Sequence, residues 1–154
     1  MINITFPDGG VRTYNEGVTA YEIAQSISPR LAADVLAATV NSTIYELNRP
    51  IYTDSTIRLH KWDDIEAKST FWHSSSHLMA SALEALYPGI KFGIGPAIET
   101  GFYYDVDLNG KTITEADLAA IENKMLELAR EKQSFVRKEV SKEEALKTYS
   151  QKGD

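Results

Sequence analysis

Along the first sixty residues apolar and polar positions alternate in short bursts. Ile2, Ile4 and Phe6 alternate with Asn3 and Thr5, Pro7-Asp-Gly-Gly10 supplies a turn, and residues 11–14 return as a second strand. Thr19 is placed to cap a helix that runs to about Ser28, where Pro29 stops it. Residues 36–41, 43–47 and 55–60 follow as three more strands, the last with Ile57 and Leu59 alternating against Thr56 and Arg58. Two strands, a helix and more strands predict a small mixed sheet with the helix packed across it. A β-grasp, ubiquitin-like domain fits this order best.

After residue 61 the period changes. Residues 62–69 are polar and acidic and read as a boundary. A helix is expected from about Thr70 to Tyr87, closed by Pro88-Gly89. With Phe71 as the zero of a helical wheel, Phe71, Leu78, Met79, Ala82, Leu83 and Leu86 form one apolar stripe. His73 and His77 fall on the other side with Ala80 and Glu84. Two residues four apart on a helix are turned about 40° from one another, so both imidazoles can serve one substrate.

Residues 92–99 and 102–108 read as strands joined near Gly101, and Asn109-Gly110 as a hairpin turn into residues 111–113. Thr114-Glu-Ala-Asp117 opens a second helix, with Leu118, Ile121, Met125 and Leu128 at helical spacing to about Lys132. Residues 135–140 read as a strand, and Ser141-Lys-Glu-Glu144 opens a last short helix. The fold class is therefore α+β, with a first domain over residues 1–61 and a second over 62–154. The second has no obvious closing element, so it reads as the first part of a domain that continues past Asp154.

With 43% apolar residues the chain can bury a real core. It has no cysteine, no long apolar run and no basic leader, which argues against membrane insertion, secretion and a disulfide frame and makes the cytoplasm the default. The net charge of -6 opposes a strong unassisted grip on a phosphate backbone. Residues 111–154 carry nine Lys/Arg against nine Asp/Glu, so Lys124, Arg130, Lys132, Arg137 and Lys138 read better as a solvated face than as an RNA patch.

His-x-x-x-His alone leaves three readings open: two exposed helix residues, a pair of metal ligands, or an acid-base pair. Zinc needs three or four strong ligands, yet there is no cysteine and the only other histidine, His60, ends a strand of the preceding domain. Ser74 stands where a His-Glu-x-x-His protease carries its base. No metal ligands are therefore assigned. Beside Ser74, Ser75 and Ser76, a neutral imidazole is better suited to orienting water or a substrate amine. Gly93-Ile-Gly95-Pro96-Ala-Ile98 fails as a dinucleotide fingerprint, since Ile98 replaces the third glycine and Pro96 lacks a donor. It is either an interrupted strand or a place where a ligand approaches the backbone closely. Phe102-Tyr-Tyr-Asp105 is either an ordinary aromatic strand or one that turns a tyrosine toward a ligand.

The run His73-Ser-Ser-Ser-His77-Leu, then Tyr87-Pro88, Ile94-Gly95-Pro96 and Gly101-Phe-Tyr-Tyr-Asp-Val-Asp107, resembles the N-terminal region of bacterial-type threonyl-tRNA synthetases. The preceding Ile4-Thr-Phe-Pro-Asp-Gly9 is similar to the start of their TGS domain. The resemblance implies a TGS domain over residues 1–61 and the N-terminal part of an editing domain over 62–154, which serves tRNA interaction and hydrolysis of mischarged seryl-tRNA. It implies that His73 and His77 are catalytic in editing, with His73 the first choice for organising or deprotonating water and His77 for positioning the amino acid or ribose. Gly95, Pro96 and Tyr104 would form the opposing, substrate-binding wall. The family's later Cys-x-x-x-His, the synthetic domain and the anticodon-binding domain do not occur in these 154 residues. The fragment would then need no cofactor itself, ATP, magnesium and a zinc ion belonging to the synthetic domain. Implied partners are threonine tRNA, the remainder of the synthetase chain and a second copy in a homodimer, with no membrane. Two other classes stay open on the residues: a non-catalytic TGS-type RNA- or ligand-binding regulatory module, and a free-standing aminoacyl-tRNA deacylase.

Overall fold

The computed structural model describes residues 1–134 and 136–152. They divide into two compact units, one of residues 1–74 with 97–102 and the other of residues 75–96 with 103–154.

In chain order the first unit begins with β1 (Ile2–Thr5), β2 (Val11–Tyr14), β3 (Val18–Thr19), α1 (Ala20–Ile27), α2 (Pro29–Asp34), β4 (Val35–Val40), β5 (Thr43–Tyr45), β6 (Pro50–Ile51) and β7 (Ser55–Lys61). Five strands form one sheet in the order β2-β1-β7-β4-β5, with β1 and β7 parallel and the other pairs antiparallel. This is the β-grasp arrangement expected from the hydrophobic pattern. Ile2, Ile4, Ala38, Val40 and Ile57 point from the sheet onto Ala20 and Ile23 of α1, and Ile51 joins them. The two-residue side pair β3/β6 and helix α2 are additions to the expected plan. Pro29 does end α1, but it also starts α2, because its fixed φ suits the first helical position and the Ser28 hydroxyl accepts the Leu31 N–H at 3.2 Å.

The long helix α3 (Ile65–Leu86) begins five residues earlier than its apolar stripe suggests. The acidic segment taken as a boundary is its N-terminal chemistry: Asp64 accepts the Lys61 N–H at 3.0 Å, the Asp64 carbonyl accepts the Lys68 N–H, and Glu66 lies in the first turn against the positive helix end. The stripe itself is only partly right. Leu83 and Ala82 are buried, but Phe71 and Leu86 are exposed and Ser76 is fully buried.

Beyond α3 the strands are much shorter than expected: β8 (Lys91–Phe92), β9 (Ala97–Ile98), β10 (Gly101–Phe102) and β11 (Val106–Asp107). β8 pairs with β11 and β9 with β10, each antiparallel over two residues. No strand forms at residues 111–113. Asn109 and Gly110 do both adopt positive φ, yet β11 already has β8 as its partner, and Ile113 packs instead beside Leu83, Ile90, Leu108 and Ile121. Helix α4 (Glu115–Arg130) carries Ile121 into that core, and α5 (Lys142–Lys152) starts where Ser141 accepts the Glu144 N–H. Of the strand expected at 135–140, residue 135 lies outside the described residues and residues 136–140 have no regular structure, for they pair with no strand among the described residues. No helix among the described residues is long and apolar enough to cross a membrane.

Candidate functional site

His73 and His77 stand four residues apart on α3 with exposed side chains, while Ser74 and Ser75 are half-buried and Ser76 is buried. The backbone carbonyl of His77 accepts the Ser81 hydroxyl at 3.1 Å. The rings are thus off the buried face of the helix, as the wheel requires, and the serine between them at the core-facing position is packed inside.

Gly95, Pro96 and Tyr104 belong to the same unit as His77, whereas His73 lies in the unit of residues 1–74 and 97–102. Gly95 and Tyr104 are brought together closely. A Cβ at Gly95 would lie 2.5 Å from Cδ2 and Cε2 of the Tyr104 ring, so the space left by the missing side chain is filled by that ring. Phe92 holds its other side edge-to-face, with centroids 5.4 Å apart. Gly93 donates its N–H to the Asp105 carbonyl at 2.8 Å, and the Asp105 N–H returns to the Ile94 carbonyl at 2.9 Å. The β8/β11 ladder therefore continues two residues and breaks where Gly95 and Pro96 offer, respectively, no side chain and no N–H. The Gly-Pro interruption shapes a seat for one aromatic ring.

A second polar feature anchors the same unit. The Tyr87 hydroxyl donates to Asp117 at 3.1 Å, and Asp117 also accepts the Thr114 hydroxyl at 2.7 Å and the Thr114 N–H at 2.8 Å. These bonds, the Thr114 hydroxyl first, hold the Asp117 carboxyl below the usual carboxylate range, while burial and the neighbouring carboxylate push the Tyr87 hydroxyl up.

The structure also assembles a group that sequence reasoning set aside. His60 ends β7 on the sheet face opposite the Ile57 side, and its side chain is 1% exposed. Its Nε2 lies 2.7 Å from the Thr39 hydroxyl, and its Nδ1 lies 3.8 Å from Asp64 and 3.6 Å from Glu66. The spacing His60-x-x-x-Asp64-x-Glu66 was visible, but only the turn from β7 into α3 brings the three together.

Residues 2–61 match the TGS domain family. Over all 154 residues the chain is 60% identical to a threonine-tRNA ligase of Bacteroides thetaiotaomicron and 58% identical to one of Bacteroides fragilis, and a Porphyromonas gingivalis relative of the same name is 58% identical over 155 aligned positions. The chain spans 24% of the length of each of these relatives. Such identity without a gap in coverage accounts for the β-grasp order and for the sequence run from His73 to Asp107 together. Residues 2–61 thus carry a TGS domain, and over its whole length the chain is similar to about a quarter of the length of threonine-tRNA ligases.

Proposed function

We propose that this chain is the N-terminal region of a threonine-tRNA ligase, acting in tRNA interaction and in hydrolysis of seryl-tRNA, with residues 62–154 the start of the editing domain. The observation that carries this reading is identity of 60% over the whole chain to a protein of that name, with the histidine pair exposed on α3. The chemistry explains the need. Serine lacks one methyl of threonine, and a methyl is worth only ~1–3 kcal/mol of discrimination in a pocket, so the smaller product must be removed by a second site.

Hydrolysis requires a water to attack the carbonyl carbon of the ester joining serine to the terminal ribose. The ester C–O bond breaks, the ribose oxygen takes a proton, and free serine and tRNA result. One imidazole, His73 in this reading, accepts the water's proton, and His77 positions the amino acid or ribose. Gly95, Pro96 and the seated ring of Tyr104 form the wall against which the terminal nucleotide rests. Editing would be completed by a Cys-x-x-x-His element elsewhere in the full-length enzyme. Groups that act as a unit lose most of their effect when divided, so the 154-residue chain alone should hydrolyse seryl-tRNA only in trace. ATP, magnesium and a zinc ion serve the synthetic domain, outside these residues. Threonine tRNA, the remaining synthetase chain and a second subunit are the partners, in the cytoplasm.

In the full-length enzyme His73→Ala and His77→Ala should each slow seryl-tRNA hydrolysis roughly tenfold or more, with threonine charging nearly unchanged. Equal losses of editing, charging and melting temperature would make the histidines structural and overturn the reading. Tyr104→Phe separates stacking from hydrogen bonding: editing retained in Tyr104→Phe but lost in Tyr104→Ala assigns the ring, not the hydroxyl.

A further inference from the structure

We propose that His60, Asp64 and Glu66 form a binding site for one divalent transition-metal ion, Zn2+ being the best match, which clips the end of β7 to the first turn of α3. This site is distinct from the histidine pair of α3 and does not depend on the editing reading.

The geometry converges on one point. One ligand atom from each side chain, the His60 ring nitrogen and a carboxylate oxygen each from Asp64 and Glu66, lie within 4.8 Å of one another. The two nitrogen-to-oxygen separations, 3.6 and 3.8 Å, are too long for hydrogen bonds but close to the edge of a zinc tetrahedron, which is about 3.4 Å for bonds of about 2.0–2.1 Å. Asp64 is fixed by its own partners at 28% exposure, so a small rotation of the Glu66 side chain, 36% exposed, is what closes most of the difference.

One tautomer of the buried His60 ring suits a cation. His60 is buried, and its Nδ1 has no hydrogen-bond partner among the described residues. A neutral imidazole has one donor and one acceptor nitrogen. In the tautomer whose Nε2 proton goes to the Thr39 hydroxyl at 2.7 Å, Nδ1 presents a lone pair toward the two carboxylates, a repulsion that a positive charge between them relieves; in the other tautomer the Thr39 hydroxyl donates to Nε2 and the Nδ1–H faces the carboxylates. A metal ion on Nδ1 removes that repulsion and satisfies the orphaned nitrogen at once. Thr39 then plays the part of the outer partner that fixes the tautomer of a ligating histidine. Asp64 is held by its own outer partners, the Lys61 N–H at 3.0 Å and the Arg58 guanidinium at 3.1 Å. One nitrogen and two oxygens leave a fourth position for water. The imidazole favours zinc over calcium or magnesium, which prefer all-oxygen sets.

The test is calorimetric titration of the EDTA-stripped 154-residue chain with Zn2+, with Co2+ absorption as a readout of coordination and melting temperature as a readout of the clip. The expected result is one Zn2+ per chain, a visible tetrahedral-type Co2+ band, and a metal-dependent rise in melting temperature. Glu66→Gln and Asp64→Asn should each weaken binding by about tenfold or more. The double variant His73→Ala/His77→Ala should bind as wild type. Because His60 is buried and its replacement can unfold the domain, Glu66→Gln is the deciding variant, checked in EDTA for an unchanged fold. Absence of stoichiometric binding, binding that survives Glu66→Gln but fails in the His73/His77 variant, or a rise in stability on acidification with no response to Zn2+ would overturn the proposal, the last by showing that a proton alone occupies the gap.

Discussion

The β-grasp unit and the unit of residues 75–96 and 103–154 use the same kinds of residue to opposite effect. In the first, alternation along β1, β4 and β7 yields five paired strands and a core from Ile2 to Ile57. In the second, the one strand pair among the described residues, β8/β11, is two residues long, and the core of Leu83, Ile90, Leu108 and Ile121 is built mainly between a helix end, loops and α4. Regular strands survive where each has a neighbour on the ladder and an apolar inner face. Where Gly95 and Pro96 interrupt the ladder, side-chain seating takes over. The contrast extends to the helix starts. Thr19 and Glu22 cap α1 reciprocally, the Thr19 hydroxyl accepting the Glu22 N–H at 3.2 Å and Glu22 accepting the Thr19 N–H at 2.8 Å. At α4 the Asp117 carboxylate gathers the Thr114 hydroxyl and N–H, as Glu22 does those of Thr19, but it also accepts the Tyr87 hydroxyl.

The sharpest way to break the comparison is to remove a side chain from each core. Ile4→Ala, at a fully buried position under α1, should cost about 2–5 kcal/mol and lower hydrogen-exchange protection across β1, β4 and β7. Leu83→Ala should cost a similar amount but expose the amides of α4. A loss spread evenly over both units from either change would show that they do not differ in how their cores are closed.

Next in size is Gly95→Ala. The added Cβ collides with the Tyr104 ring, so overpacking of roughly 1–3 kcal/mol is expected, with loss of the Tyr104 to Phe92 ring contact in NMR shifts. Combining it with Tyr104→Ala should make the glycine substitution nearly neutral, as a shared contact demands. Additive losses would mean that the ring seat is not the reason for glycine there.

A smaller effect distinguishes the caps. Thr19→Ala should destabilise the β-grasp unit by about 1 kcal/mol, since it removes the side-chain acceptor of the Glu22 N–H. Thr114→Ala should matter less, because Asp117 keeps the Thr114 backbone N–H and the Tyr87 hydroxyl. Equal losses would erase the distinction between the two starts.

The smallest signal is pH-dependent. The Asp117 carboxyl is held low chiefly by the Thr114 hydroxyl, then by the Thr114 N–H and the Tyr87 hydroxyl that faces it from just past the end of α3. A depressed native pKa stabilises the fold above the unfolded carboxylate value and loses that contribution as pH falls through the native one, here between about pH 4 and more acidic values. Melting curves over that range should be flatter for Asp117→Asn than for wild type. Parallel curves would remove Asp117 from the acid response.

The helical placement of the two histidines was legible in the sequence. The His73/His77 spacing and the apolar residues opposite them put both rings on the open side of a helix, and the structure leaves both exposed. The start of α3 was set five residues late because hydropathy does not separate a linker from a helix N-terminus, where acids are favoured. Alternation at residues 135–140 suggested a strand but carried no information about a partner.

Local covalent chemistry by itself determined the hairpin of β1 and β2, the end of α1 at Pro29, the starts of α1, α4 and α5, and the spacing of the histidines, for each depends on residues a few positions apart. Tertiary structure alone decided the rest. Lys91–Phe92 chose Val106–Asp107 as its partner, the ring of Tyr104 filled the gap at Gly95, and the irregular register between β4 and β7 set Ala37 opposite His60. The turn into α3 then carried Asp64 and Glu66 to within 4 Å of that buried imidazole, an encounter determined by how two elements cross rather than by the pattern of either.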